Sequence, residues 1–136
     1  MSILSVNTVK SLGTGAPVFQ NSTGTEKGQL VKAWANFDGT FGTSPFTEAN
    51  GGIRDSFNVS SITDVTTGVY TVNFTNAMAN NNYVTVITKR LNETGGSTSS
   101  DDIGTGLVNT AQTTSAVNVF TRNTDCIAVN VAVFGD

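Results

Sequence analysis

The sequence predicts an all-β fold, a single antiparallel β-sandwich or Greek-key-like domain with an N-terminal strand or arm. Strand-forming residues alternate with polar ones in seven or eight short runs, which is the side-chain period of a β-strand. Turns rich in Gly, Asn and Asp separate these runs. Only 12% of the 136 residues are charged, and Thr, Asn, Ser and Gly supply the polar surface, as suits a β-rich protein.

The first predicted element is a strand at residues 2–10, which a Gly- and Pro-containing stretch ends. We therefore expect residues 1–29 to be an N-terminal arm and linker, and residues 30–136 to be the sandwich domain. The arm either pairs with a neighbouring subunit or packs onto the domain's own sheet, and the sequence leaves both possibilities open. Its apolar residues are Ile3, Leu4, Val6 and Val9.

Three further strands are predicted in the middle of the chain, at residues 31–37, 53–62 and 69–74. Asp38-Gly39 is expected to end the first strand in a turn, because Gly tolerates positive φ and Asp can bond its own backbone. Thr66-Thr67-Gly68 is the turn between the other two. Residues 40–52 contain three Gly and one Ser and predict a long exposed loop.

The C-terminal half adds strands at residues 83–91, 115–122 and 126–134, and a short one at 107–109. Residues 75–82 are compatible with a helix or a turn, and residues 92–106 predict a long exposed loop. Cys126 is the only cysteine, so an intramolecular disulfide is impossible. Its position in an apolar run predicts a small buried hydrophobe.

The composition argues against an enzyme. The chain has no His, which removes His-based metal sites, Ser-His-Asp triads and the commonest general base. Asp101 and Asp102 are adjacent in a loop instead of facing each other across a cleft, which is typical of a solvated loop, with Ca²⁺ binding as the alternative. We expect no cofactor. The net charge of −3 gives no reason to expect nucleic acid, and no apolar run is long enough for membrane insertion.

Two features of the central strands have alternative interpretations. Trp34 is the sole tryptophan and could stack on a sugar, but Ala33 and Ala35 on the opposite face favour a tryptophan in the core. Arg54 and Asp55 are adjacent on a strand, so they are not expected to pair with each other, but either could bond across strands.

Four segments of the chain form a recognisable pattern: Ala-Trp-x-Asn-Phe-x-Gly-Thr at 33–40, Ile-Arg-Asp-Ser-Phe-Asn-Val-Ser-Ser-Ile-Thr-Asp at 53–64, Gly-x-Tyr-Thr-Val-Asn-Phe-Thr-x-Ala-Met at 68–78 and Asn-Tyr at 82–83. This pattern resembles that of tail-fibre-like virion proteins of bacteriophages, many of them marine. The chain departs from the family pattern in a longer loop at residues 41–52, and in Ala79-Asn80-Asn81 where a Pro-containing turn is expected. Both departures change loops and leave the strands intact.

The resemblance implies a non-enzymatic virion structural protein that mediates particle assembly and contacts the host surface through exposed loops. The alternative is a capsid decoration or cement protein on the phage head, in which the arm clamps neighbouring subunits. Expected partners are further copies in a homotrimer, other phage structural proteins and a host-surface glycan. The expected location is the virion, after synthesis in the bacterial cytoplasm. The candidate binding residues are Phe41, Phe46, Asn50, Asp101 and Asp102.

Overall fold

The computed structural model describes residues 19–20, 23, 26–28, 30–90, 106–107, 112–122 and 124–135. The chain divides into two compact units, Met1–Leu30 and Val31–Asp136. In the first unit, β1 (Phe19–Gln20) pairs with β2 (Glu26–Gly28) in an antiparallel hairpin. The predicted strand at residues 2–10 lies outside the described residues, and so do its apolar residues Ile3, Leu4, Val6 and Val9.

The second unit is a β-sandwich. Its strands are β3 (Val31–Phe37), β4 (Ile53–Phe57), β5 (Val59–Thr66), β6 (Val69–Phe74), β7 (Val84–Arg90), β8 (Gly106–Leu107), β9 (Ala116–Phe120) and β10 (Ala128–Phe134). They form two antiparallel sheets, sheet I with the order β4-β3-β10-β7 and sheet II with the order β5-β6-β9-β8. Both sheets contribute to one hydrophobic core, so the prediction of an all-β sandwich is confirmed.

The core lies between the two sheets and follows the alternation of each strand. On β10 the buried residues are Val129, Val131 and Val133, every second residue of the strand. Cys126 is also buried, as expected. Full burial of each valine stabilises the fold by roughly 1.5–3 kcal/mol. The other strands add Ala33, Ala35, Phe37, Ile53, Ile62, Tyr70, Val72, Phe74, Val117 and Val119.

The predicted single strand at residues 53–62 is in fact two strands that belong to different sheets. Asn58 separates β4 from β5 and has a positive φ of 56°, a conformation that Asn tolerates better than most residues. Its Nδ2 donates to the carbonyl oxygens of Lys32 and Asn76, and its Oδ1 accepts from the Asn76 N–H at 2.7 Å. The prediction was wrong because the apolar alternation continues through this corner, from Phe57 to Val59.

Both predicted central turns are confirmed, although Gly39 is needed for a different reason than expected. The Asp38 carboxylate accepts from the Thr40 N–H at 3.0 Å and from the Thr40 hydroxyl at 2.6 Å. A Cβ on Gly39 would collide with the Tyr70 hydroxyl and lie 2.9 Å from the Cys126 carbonyl oxygen. Close approach therefore requires glycine here. At Gly68 the requirement is the backbone, with a φ of 71°.

Residues 75–82, compatible with a helix or a turn by sequence, form bends and irregular backbone. Met78 anchors this connection, because its side chain is buried in the core and its N–H donates to the Thr114 carbonyl oxygen at 2.7 Å. The neighbouring Asn80 accepts from the Asn82 N–H at 2.7 Å. Such local Asn bonds compete with a helix ladder, which accounts for the irregular backbone.

Asp125 fixes the connection between β9 and β10 against the β5–β6 hairpin. One oxygen of its carboxylate accepts from the Gly68 N–H and from the Tyr70 hydroxyl, each at 2.7 Å. Burial, together with the adjacent carboxylate, raises the pKa of Tyr70 far above its usual range. Asp64 lies on the same hairpin. The pKa of its carboxyl group is raised, mainly by burial and secondarily by repulsion from the Asp125 carboxylate.

Asp64→Asn is expected to raise the melting temperature at pH 7. The raised pKa means that ionised Asp64 destabilises the folded state, and its Oδ1 is buried without a hydrogen-bond partner. This cost is present above the folded pKa and disappears below 3.8, the usual value, where the carboxyl is protonated in both states. Thermal unfolding followed by circular dichroism at pH 7 and pH 3 measures the difference.

The exposed Asp55 supplies the matched control for this comparison. Asp55→Asn is expected to leave the melting temperature nearly unchanged at pH 7. A melting temperature of Asp64→Asn that falls at pH 7, or that rises equally at both pH values, would contradict a destabilising charge at position 64.

Candidate functional site

The outer face of sheet I presents the sole tryptophan of the chain. Ala33, Ala35 and Phe37 point into the core, so the alternation of β3 places Trp34 on the opposite face, where it is half-buried. The prediction that Trp34 belongs to the core is therefore wrong. Ala33 and Ala35 belong to the same core cluster as Phe37 and Tyr70, whose ring centroids lie 5.1 Å apart.

Strand register aligns a set of apolar side chains across the outer face of sheet I. This apolar row consists of Phe57, Trp34, Ala132 and Val86. Phe57 is 53% exposed and Val86 is 50% exposed. Val84 and Phe134 form the next cross-strand pair and are also exposed. Exposed apolar side chains that lie side by side on one face indicate an interaction surface more strongly than scattered ones.

The adjacent row on the same face is polar and hydrogen-bonded across the sheet. This polar row consists of Asp55, Asn36, Asn130 and Thr88. The Asn36 Nδ2 donates to the Asn130 Oδ1, and the Asn130 Nδ2 donates to the Thr88 Oγ1 at 3.1 Å. An amide nitrogen carries two hydrogens and a hydroxyl carries one. Among the residues that the structure describes, a second N–H of each Asn and the O–H of Thr88 have no partner, so these groups can bind a ligand.

Arg54 holds one end of the polar row in place. Its Nη1 donates to the Asn36 Oδ1 at 3.3 Å and to the Phe37 carbonyl oxygen at 3.1 Å. Its Nη2 donates to the Ile127 carbonyl oxygen and forms an ion pair with Asp38 at 2.8 Å. The expectation that Arg54 bonds across strands is confirmed. Arg54, which lies on β4, therefore fixes the orientation of the Asn36 amide.

A depression of about 310 Å³ lies on the outer face of sheet I and is lined by residues of both the apolar row and the polar row. It exists because Ala132 is small, while its cross-strand neighbours Trp34 and Val86 are large. We call it the Trp34 depression. Its lining is uncharged and consists of Trp34, Ala35, Asn36, Val86, Thr88, Asn130, Val131 and Ala132.

The outer face of sheet II is different in character. Thr71 donates to the Asn118 Oδ1 at 2.6 Å, and Asn73 donates to the hydroxyls of Ser61 and Thr63 at 3.1 Å. These short polar side chains bond to one another across neighbouring strands. Trp34 and the exposed Phe57 belong to sheet I, so the two faces of the sandwich are chemically distinct.

The structure corrects the prediction for Phe46, which was expected in an exposed binding loop. Phe46 is 0% exposed, and its ring lies 6.2 Å from Phe37, 5.7 Å from Phe41 and 6.3 Å from Tyr70 between centroids. Its backbone exchanges two hydrogen bonds with Ile62. The Gly- and Ser-rich loop therefore folds inward here, and the ring cannot contact a ligand.

The other predicted loop residues have different positions. Phe41 is half-buried and packs against the core. Asn50 is exposed, but its side chain stabilises the loop itself, with bonds to the Thr47 N–H at 2.8 Å and the Pro45 carbonyl oxygen at 2.9 Å. Asp101 and Asp102 lie outside the described residues.

The described part of the chain contains no group of three or more His, Cys, Asp or Glu placed to hold a metal ion. None of its segments forms a helix with the length and apolar character needed to cross a bilayer. No protein-family model, curated protein or solved structure matches the chain.

Proposed function

We propose that this chain is a non-enzymatic bacteriophage virion structural protein, tail-fibre-like, that takes part in particle assembly and contacts the host surface. The main support is the combination of two features. Residues 33–40, 53–64 and 68–78, which resemble tail-fibre-like proteins, contribute to β3, β4, β5 and β6. The scaffold they help to build exposes aromatic and amide side chains on the outer face of sheet I, as a binding module does.

The structure changes where we expect that contact to occur. Phe46 lies in the core and Phe41 packs against it. The loop at residues 40–52 therefore does not present a fully exposed aromatic side chain to a ligand. The outer face of sheet I offers Trp34 and Phe57 on regular strands instead, where backbone hydrogen bonds fix their positions. Assembly as a homotrimer would multiply weak contacts at this face by the number of copies.

A capsid decoration protein is the second candidate. Its support is the predicted arm, whose apolar residues Ile3, Leu4, Val6 and Val9 suit pairing with a neighbouring subunit. In this alternative the arm at residues 2–10 clamps neighbouring capsid subunits, and the sandwich sits on the head surface.

Immunogold labelling of intact phage particles with an antibody against this chain distinguishes the two candidates. Because we propose a tail-fibre-like protein, we expect gold at the tail. Gold spread over the head would favour decoration. Particles that carry no gold, while the same antibody detects the chain in the infected-cell lysate, would overturn the virion proposal.

A further inference from the structure

The Trp34 depression has the size, shape and chemistry of a small-ligand site. We propose that it binds a neutral pyranose ring of a glycan, with the Trp34 indole against the ring and the polar row hydrogen-bonded to its hydroxyls. This inference deepens the proposed function and depends on it for the source of the sugar, a host-surface glycan. Sugar binding itself can be measured on the purified chain, without a phage particle.

The dimensions of the depression suit one sugar ring. Trp34 and Val86 lie on strands that are two positions apart in sheet I, a backbone separation of roughly 9–10 Å. Between them, the methyl group of Ala132 forms a low floor. The volume of about 310 Å³ lies at the lower end of the range for small-molecule sites. A single ring fits this space, while neighbouring rings of a longer glycan can continue over the open face.

The lining matches the two kinds of surface that a sugar presents. One face of a pyranose carries C–H groups, and an aromatic ring packs against such a surface with a large contact area. Trp34 supplies this ring, and Phe57 beside it, 53% exposed, can meet the next ring of the glycan. The edge of a pyranose carries hydroxyls, which both donate and accept hydrogen bonds.

The polar row offers both functions at fixed positions. The unused N–H groups of Asn36 and Asn130 can donate to sugar oxygens, and the Thr88 hydroxyl can both donate and accept. Their mutual bonds hold the amides in one orientation before a ligand arrives. Less side-chain entropy is then lost on binding. The lining contains no charged residue, which favours a neutral sugar over an anionic one.

The same features argue against a second copy of this chain as the occupant. The centre of a homodimer interface is more apolar than the rest of the surface. Here the exposed apolar row is flanked by a hydrogen-bonded polar row, with Asn36 and Asn130 in the middle of the sheet. Burying that row against protein would desolvate amide groups whose remaining N–H donors need partners.

Titration of the purified chain with methyl glycosides of glucose, galactose, mannose and N-acetylglucosamine tests the proposal. Because Trp34 is the sole tryptophan, its fluorescence reports directly on the depression. We expect a saturable change with at least one of these sugars at millimolar concentration and none with glycerol. Ala132→Leu fills the depression and should abolish the change. Thr88→Val combined with Asn130→Ala should weaken binding about tenfold or more, since hydrogen bonds are lost.

The matched control for Ala132→Leu is Ala128→Leu, which adds the same side chain to the same face of β10 outside the lining. It should bind sugar as the parent chain does. If Ala132→Leu does not fold, the Thr88 and Asn130 variant keeps the test decisive. No saturable change with any of the sugars, or equal loss of binding in both leucine variants, would overturn the proposal. So would a fluorescence change that follows protein concentration alone, because it would indicate a second copy on this face.

The outcome is independent of the labelling experiment. Virion labelling without sugar binding would refute the sugar site and leave the proposed function standing. Sugar binding by a chain that labels no particle would refute the virion proposal and leave the site.

Discussion

Replacing Phe46 with alanine is expected to reduce the free energy of unfolding by about 3–5 kcal/mol. The side chain is 0% exposed, and its ring packs against Phe37, Phe41 and Tyr70. Truncation removes these contacts and leaves a cavity that the surrounding strands can fill only partly. Equilibrium unfolding in urea, followed by Trp34 fluorescence, measures the change as a lower midpoint at similar slope.

Phe57→Ala is the matched control, because it removes the same side chain from the exposed face of sheet I. We expect it to change the free energy of unfolding by no more than about 0.5 kcal/mol. If the two alanine variants were equally stable, the burial of Phe46 in the core would be contradicted, and the loop would again be a candidate contact surface.

Replacing Asp125 with alanine is expected to reduce the free energy of unfolding by about 3 kcal/mol. Its carboxylate accepts hydrogen bonds from the Gly68 N–H and the buried Tyr70 hydroxyl. Removal of the carboxylate leaves the Gly68 N–H without this acceptor, and Tyr70 keeps only the longer bond to the Gly39 carbonyl oxygen at 3.2 Å. Urea unfolding at pH 7 again gives the measurement.

Three further variants identify the origin of this effect. Asp55→Ala removes an exposed carboxylate that bonds its neighbour Ser56, and it should cost no more than about 0.5 kcal/mol. Tyr70→Phe, alone and combined with Asp125→Ala, completes a double-mutant cycle. Strictly additive effects would contradict a direct bond between the two side chains.

The fold class could be predicted from the sequence. Side chains in β3, β6, β9 and β10 alternate with a period of two, and in the structure their burial alternates in the same way. The sequence pattern could not divide residues 53–62 correctly. Asn58 is compatible with either a strand or a left-handed corner, and the neighbouring residues Phe57 and Val59 maintain the apolar pattern on both sides. Which strands share a sheet depends on long-range pairing, which local patterns do not contain.

The candidate site was only partly accessible from sequence. Alternation places Trp34 opposite Ala33 and Ala35, but it does not say which face is inside, and the greater apolar area of Trp favoured the wrong one. The partners in the site come from β7 and β10, and only strand register aligns Asn130 and Thr88 with Asn36. For Phe46 the flanking Gly, Ser and Pro residues indicated exposure, yet the ring anchors the loop.

The central pair of sheet I has a consequence for how the protein is made. β3 and β10 lie side by side, with Val31 opposite Phe134, so the first and last strands of the sandwich complete each other. A ribosome therefore releases β3 long before β10, so this pairing forms only after the other strands of the domain have been synthesised. Pairing over such a sequence separation is slow. Until β10 emerges, the β3 edge that it covers stays unpaired, and an unpaired strand edge favours aggregation of a folding chain.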